Sequence, residues 1–162
     1  MTDDSKNEHN TPPEFESGTT GIFSQYETDV LGEWLDYNGH MNDAAYALVL
    51  TAANEAFLDY AEIGAGYRAK TGCTMYTVEA HIYYLAEVRA TDHLTARTVI
   101  AELAAKKLQL TTTLLRTDGQ EAARGEFLYL HYDQRLEKVI PFPEAVFARL
   151  QKLADLRSHL TS

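Results

Sequence analysis

The hydrophobic period of this 162-residue chain changes from three-and-four to two near residue 75 and holds at two for about sixty residues. Before the change, Tyr46, Val49, Leu50, Ala53, Phe57, Tyr60 and Ala61 recur at helical spacing, with Thr51, Glu55, Asp59 and Glu62 opposite. That pattern predicts one amphipathic helix, opened by Asn42 as N-cap with Asp43 in its first turn and closed at Gly64. At 1.5 Å per residue it is about 30 Å long, the longest element expected. After the change, Tyr76, Val78, Ala80, Ile82 and Tyr84 alternate with Thr77, Glu79, His81 and Tyr83, which predicts a strand with one apolar face. Further strand patterns cover residues 93–103, 108–116 and 122–132, and Asp118-Gly119 marks a tight hairpin between the last two. A short strand over residues 21–30 precedes the helix. One buried helical stripe with no comparable helix to pack against has to be covered by sheet, so the layout is α+β, a five-stranded antiparallel sheet on one central helix.

The helix is preceded by Asp36, Tyr37, Asn38, Gly39, His40, Met41 and Asn42. A helix N-terminus presents N–H groups without intrahelical partners and about half a positive charge, so it stabilises an anion. A carboxylate beside such an end has the two elements of acyl transfer to water, an attacking group and an oxyanion site. Asp followed by Asn-Gly is equally an ordinary turn, and Asn42 with Asp43 an ordinary cap.

The size suits one domain. Residues 1–20 hold Asp3, Asp4, Glu8, Glu14 and Glu16 against Lys6 alone, with Pro12 and Pro13, and read as a disordered tail. The net charge is −10, about −6 without the tail, which disfavours nucleic acid and anionic membranes as partners. With no apolar run near the roughly 18 residues that span a bilayer, a soluble, cytoplasmic protein is expected. Residues 21–142 form the expected domain. Residues 143–162 follow Pro141 and Pro143 as a C-terminal helix that packs on it through Val146, Leu150, Leu153 and Ala154.

The order strand, long helix, four strands, with Asp36, Gly39, His40, Asn42 and the following aromatic Tyr46, resembles the hotdog-fold acyl-CoA thioesterases of the 4-hydroxybenzoyl-CoA thioesterase type over residues 22–142. The resemblance implies that Asp36 is the catalytic carboxylate and that a backbone N–H at the helix start polarises the thioester carbonyl. A coenzyme A thiolate leaves with a pKa near 8.5, so no strong general acid is required. Asp36 then attacks the carbonyl directly or takes a proton from water, two routes the sequence does not separate. Asn42 and Asp43 supply the oxyanion end, Gly39 the tight turn and close approach, and His40 the orientation of the loop. A different branch of hotdog thioesterases carries a catalytic glutamate in mid-helix, where Glu55 stands here on the polar face.

Thr77 to Ile82 together with Leu85, Ala86, Glu87 and Val88 resemble the thioesterases of carnitine breakdown, whose substrate is betainyl-CoA. A trimethylammonium acyl group would suit aromatic faces from Trp34, Tyr37 and Tyr76 with charge from Glu79. The function expected is hydrolysis of a short or polar acyl-CoA, and the alternative is a hotdog module that binds acyl-CoA without turnover. Hotdog sheets pair at their edges, so a homodimer or homotetramer is expected. No GxSxG elbow or phosphate loop occurs, and His40, His81, His93 and His131 lack metal-ligand spacing. No metal or other cofactor is expected, Cys73 reads as an inert thiol in a loop, and no basic residue stands out as a holder of CoA phosphates.

Overall fold

The computed structural model describes residues 20–158. The tail expected over residues 1–20 therefore lies outside the described residues except for Thr20. The chain runs β1 (Phe23–Asp29), a 3-10 turn (Gly32–Trp34), α1 (Asp43–Tyr60), α2 (Ala65–Thr71), β2 (Cys73–Tyr84), β3 (His93–Ala104), β4 (Lys107–Leu115), β5 (Glu121–Asp133), β6 (Lys138–Val139) and α3 (Glu144–Ser158). The long strands form one antiparallel sheet in the order β1-β3-β4-β5-β2, which leaves β1 and β2 at the edges. The expected meander of β3, β4 and β5 is its centre. β6 adds two residues beside the end of β5, on the side where β4 has stopped.

α1 buries Ala45, Tyr46, Val49, Leu50, Ala53, Phe57 and Leu58 against Leu94, Leu108, Leu110, Leu114 and Phe127 of the strands. The stripe is the one its spacing predicts, and Phe57, 1% exposed, anchors its last turn. Truncating such a side chain to alanine costs about 3–5 kcal/mol. α3 closes the far side with Leu150 and Leu153 buried. It is tied down by Arg157, which donates to the Ile100 carbonyl at 3.0 Å, and by Arg149, which donates to the Ala61 and Tyr60 carbonyls at 3.2 and 3.3 Å. None of the described helices is long and apolar enough to cross a membrane.

Three details differ from the sequence pattern. α1 ends at Tyr60 rather than Gly64, because Ile63 turns inward to 1% exposure with its N–H on the Leu58 carbonyl, and Glu62 takes a positive φ of 60° to allow it. Asp59 then accepts from the Ala65 N–H at 3.2 Å and starts α2, a seven-residue helix that carries no apolar stripe and so was not expected. In β2 the register shifts between Thr77 and Glu79, a bulge at Val78 that reverses the faces beyond it. Thr77 thus shares the inner face with Ala80, Ile82 and Tyr84, while Tyr76 joins Glu79, His81 and Tyr83 outside. Cys73 opens β2 and is buried, rather than lying in a loop.

Candidate active site

Leu35 and Met41 pair as an antiparallel bridge, and the residues between them fold into a closed turn. Asp36 donates its N–H to the His40 carbonyl at 2.8 Å and accepts the Gly39 N–H on its own carbonyl at 3.0 Å. Gly39 has φ +76°, a left-handed conformation that glycine adopts without cost. A Cβ there would meet nothing within 4 Å, so within one chain its conformation, not close approach, calls for glycine.

The Asp36 carboxylate is gathered into the same turn. Its Oδ1 accepts from the Asn38 N–H at 2.8 Å and from the His40 N–H at 3.2 Å, so Oδ2 is left unused by the loop's backbone. Partial burial pushes its pKa up, but the His40 and Asn38 N–H groups, the Asn38 side chain and the His40 ring outweigh this and hold it below the ordinary 3.8. Asp36 is consequently a carboxylate at any physiological pH.

The turn leads straight into the helix. Asn42 caps it with Oδ1 on the Ala45 N–H at 2.9 Å, and its N–H and Nδ2 both donate to the Trp34 carbonyl, at 2.8 and 2.7 Å. The Ala44 N–H is taken by the Asp43 side chain at 2.9 Å, and the Tyr46 N–H by the Asn42 carbonyl. Among the described residues, the Asp43 N–H is the one first-turn donor left without an acceptor. Of the two residues expected at the oxyanion end, Asn42 spends its own N–H on Trp34 and Asp43 does not.

The segment that follows β2 closes the other side. The Met41 N–H donates to the Val88 carbonyl at 2.8 Å, and His40 pairs with Arg89 as a second bridge. Tyr46, 5% exposed, donates its hydroxyl to the Ala86 carbonyl at 3.0 Å, and its ring meets Tyr84 edge-on with centroids 5.3 Å apart. Burial pushes the Tyr46 phenol up, which keeps it a donor. His40 Nε2 lies 3.3 Å from the Glu87 carboxylate. Arg116 donates to the Glu87 carbonyl at 2.8 Å and is itself held by Asp118 and Gln120, both at 2.6 Å. Tyr84 and Arg116 carry no local motif that marks them, and Glu87 enters the sequence pattern only within the resemblance over residues 85–88, with no role attached. They reach the Asp36 turn only because the chain after β2 doubles back along it.

The remaining expected residues are placed less compactly. Trp34 packs partly buried against the core, and Tyr37 projects into solvent, 98% exposed. Tyr76 stacks on Tyr132 with centroids 4.5 Å apart, and Glu79 pairs with His81 at 2.6 Å, both on the outer face of the sheet. Tyr76 is eight residues from Tyr84, about 27 Å of extended strand. Within one chain Trp34, Tyr37, Tyr76 and Glu79 therefore do not surround a common point, because the bulge at Val78 puts Tyr76 on the outer face beside Glu79, away from the helix side. Glu55 is solvent-exposed and lines a cavity of about 280 Å³ with Leu58, Arg68, Thr74 and Met75, twelve residues and about 18 Å along α1 from Asp43. No group of three or more side chains that could hold a metal ion occurs among the described residues.

Residues 30–150 match the family model of the Thioesterase-like superfamily. The chain belongs to that superfamily. It is 34% identical over 135 residues to a betainyl-CoA thioesterase of Pseudomonas aeruginosa, covering 83% of this chain and 85% of the relative. It is 40% identical over 128 residues to an L-carnitine dehydrogenase/betainyl-CoA thioesterase of Agrobacterium fabrum, covering 79% of this chain. The match spans only 26% of that Agrobacterium protein's length. Among solved structures, a hypothetical protein of Staphylococcus aureus in complex with CoA superposes with a TM-score of 0.81 at 24% identity, over 88% of this chain and 90% of the other. A putative thioesterase of Pseudomonas putida superposes with a TM-score of 0.71 at 30% identity, over 83% and 86%. The hotdog architecture and thioesterase membership expected from the sequence thus both hold, and the Asp36 turn and the start of α1 fall within the matched region.

Proposed function

We propose that this protein hydrolyses betainyl-CoA to betaine and CoA, with Asp36 as nucleophile. The observation that carries the reading is a carboxylate with one oxygen fixed by two amides, set ahead of a helix whose Asp43 N–H has no acceptor. The names of the Pseudomonas and Agrobacterium relatives support the acyl group.

Asp36 Oδ2 forms a bond to the thioester carbonyl carbon while the carbonyl oxygen draws on the Asp43 N–H and the positive end of α1. One such donor is worth about 100- to 1000-fold in rate. Collapse of the adduct breaks the carbon–sulfur bond, and the electron pair leaves with the CoA thiolate. The product is a mixed anhydride on Asp36. Water hydrolyses it, restoring the carboxylate and releasing the acid, and the protons set free go to the thiolate and solvent. A depressed pKa favours this route over general-base catalysis, because an efficient base has a pKa near the working pH whereas a nucleophilic carboxylate needs only to be ionised.

β2 is a twelve-residue edge strand with Val78 and Tyr84 about half exposed, as is Leu85 just beyond its end. Leu48, also exposed, projects from α1. An open edge of this length favours pairing with a second copy, and the functional form in this reading is at least a homodimer.

The test is thiol release from a panel of acyl-CoAs that includes betainyl-CoA. Turnover of betainyl-CoA well above acetyl-CoA and long-chain substrates is expected. Binding of acyl-CoA with no turnover of any of them would refute the hydrolase in favour of a binding module. Mass spectrometry of the Asp36 peptide after turnover in ¹⁸O-water tests the route. Label in Asp36 would establish the anhydride; where label is confined to the acid product, rapid-quench mass spectrometry for the acyl-enzyme separates an anhydride opened at its acyl carbonyl from general-base attack assisted by Asp36.

A further inference from the structure

We propose that Glu87 is the specificity residue of this site, the carboxylate that receives a cationic group carried next to the reacting carbonyl. The inference rests on the betainyl-CoA reading above. It moves the recognition of charge from the outer-face Glu79 to Glu87, a residue to which the sequence pattern attaches no role.

The constraint comes from the substrate. In an N-trimethylglycyl thioester the nitrogen stands two bonds from the carbonyl carbon, about 2.5 Å away. A group that recognises this cation has to lie within contact of the place where the carbonyl meets the Asp43 N–H and Asp36. Glu79 does not meet the condition within one chain. It faces the outside of the sheet, is held at 2.6 Å by His81, and is five residues of extended strand, about 17 Å, from Tyr84.

Glu87 meets it. The flanking carbonyls of Ala86 and Val88 are bonded to the Tyr46 hydroxyl and the Met41 N–H, so residue 87 is pinned between the first turn of α1 and the end of the Asp36 loop. Its side chain reaches His40, the residue whose N–H holds Asp36 Oδ1, and its charge is felt at the Tyr46 hydroxyl. The carboxylate is 67% exposed on its side chain and has His40 as its one ion-pair partner among the described residues, so it is open to a ligand. Its backbone is immobilised by Arg116. Tyr84, on the same side of the sheet as the helix and about half exposed, presents an aromatic surface beside Tyr46, as quaternary ammonium groups favour. A carboxylate and an aromatic face fixed on the backbone can discriminate a cation from a neutral group of equal shape.

The experiment compares betainyl-CoA with 3,3-dimethylbutyryl-CoA, whose tert-butyl group has the shape of trimethylammonium without its charge. Wild-type enzyme should favour betainyl-CoA in kcat/KM. Glu87→Gln should lower kcat/KM for betainyl-CoA by about 10- to 100-fold and leave the neutral substrate nearly unchanged, so that the ratio collapses. Glu87→Asp should recover part of it. Parallel losses on both substrates, matched by His40→Gln, would mean that Glu87 only steadies the loop, and would overturn the proposal. So would loss of the ratio in Glu79→Gln with retention in Glu87→Gln. A wild type that turns over the neutral substrate but not betainyl-CoA removes the betainyl reading itself, a result distinct from either of these.

Discussion

Asp36→Asn separates chemistry from loop architecture. Both backbone donors to Asp36, from Asn38 at 2.8 Å and His40 at 3.2 Å, converge on Oδ1, an oxygen that asparagine retains as a carbonyl. The turn also keeps its main-chain bonds, Gly39 N–H to the Asp36 carbonyl and Asp36 N–H to the His40 carbonyl. What changes is Oδ2, which becomes an amide nitrogen with neither charge nor nucleophilicity. A positioned carboxylate contributes about 10²- to 10⁴-fold even as a general base, and a nucleophile at least as much, so kcat should fall by about 1000-fold or more. The melting temperature should stay within about 2 °C of wild type, as for a surface substitution that keeps its partners. Asp36→Ala removes the same oxygen together with the acceptor of both amides, so it should add a loss of thermal stability to a similar loss of rate. The assay is CoA release read with a chromogenic disulfide, alongside thermal unfolding of each variant. A folded Asp36→Asn protein within about 10-fold of the wild-type kcat would refute the assignment, whatever the alanine variant did.

Further outcomes are expected. Asn42→Ala loses the cap bond to Ala45 and the Nδ2 bond to Trp34, which should cost about 1–2 kcal/mol in denaturant unfolding and reduce kcat as the helix start loosens. Gly39→Ala forces a β-carbon into φ +76° and should lower kcat more than it raises KM, because the turn that aims Asp36 is strained while nothing fills its space. Asp36, Asp118 and Asp133 have pKa values held below 3.8. In Asp36, partial burial (raising it) is outweighed by the His40 and Asn38 N–H groups. In Asp118 the main cause is Arg116, and in Asp133 the Leu136 N–H. The stability they supply is present above about pH 4 and is lost as pH falls through those lowered values, so kcat/KM should show no acid limb from Asp36 between pH 5 and 8. His93 is raised above 6.5 by Asp29 at 2.7 Å and Glu27 at 3.4 Å, so its contribution is full below about 6.5 and is lost as pH rises through the raised value. His93→Gln should remove that part of the slope in a series of unfolding curves. For the proposed dimer, Val78→Lys on the open β2 edge should shift sedimentation toward the monomer, and an unchanged sedimentation coefficient would place the interface elsewhere.

Much of the fold is written locally. The stripe from Tyr46 to Phe57 and the meander through Asp118-Gly119 are short-range patterns, and the structure keeps them. The early end of α1 was not legible, because Ile63 leaves the helix to satisfy a core position and Asp59 takes an N–H six residues ahead. Nor was the reversal of β2, since a bulge at Val78 depends on how the strand registers with β5. That one shift carries Tyr76 to the outer face, where Glu79 already stands, and dissolves the expected grouping with Trp34 and Tyr37.

By itself, then, the sequence determined the helix, the period of the strands and the turn that holds Asp36, because each depends on residues within a few positions of one another. Gly39 and Asn42 specify that turn and cap through bonds that span at most eight residues. Which donors are spent and which stay open was decided by tertiary structure, as in the loss of the Asn42 N–H to Trp34 and the survival of that of Asp43. The same is true of the neighbours of the turn. Tyr84, Glu87 and Arg116 are 48 to 80 residues beyond Asp36 in the chain and reach it only when β2 and its following segment fold back along α1. Backbone pairing over that separation has no local signature, since its free energy is realised only after the sheet has closed on the helix.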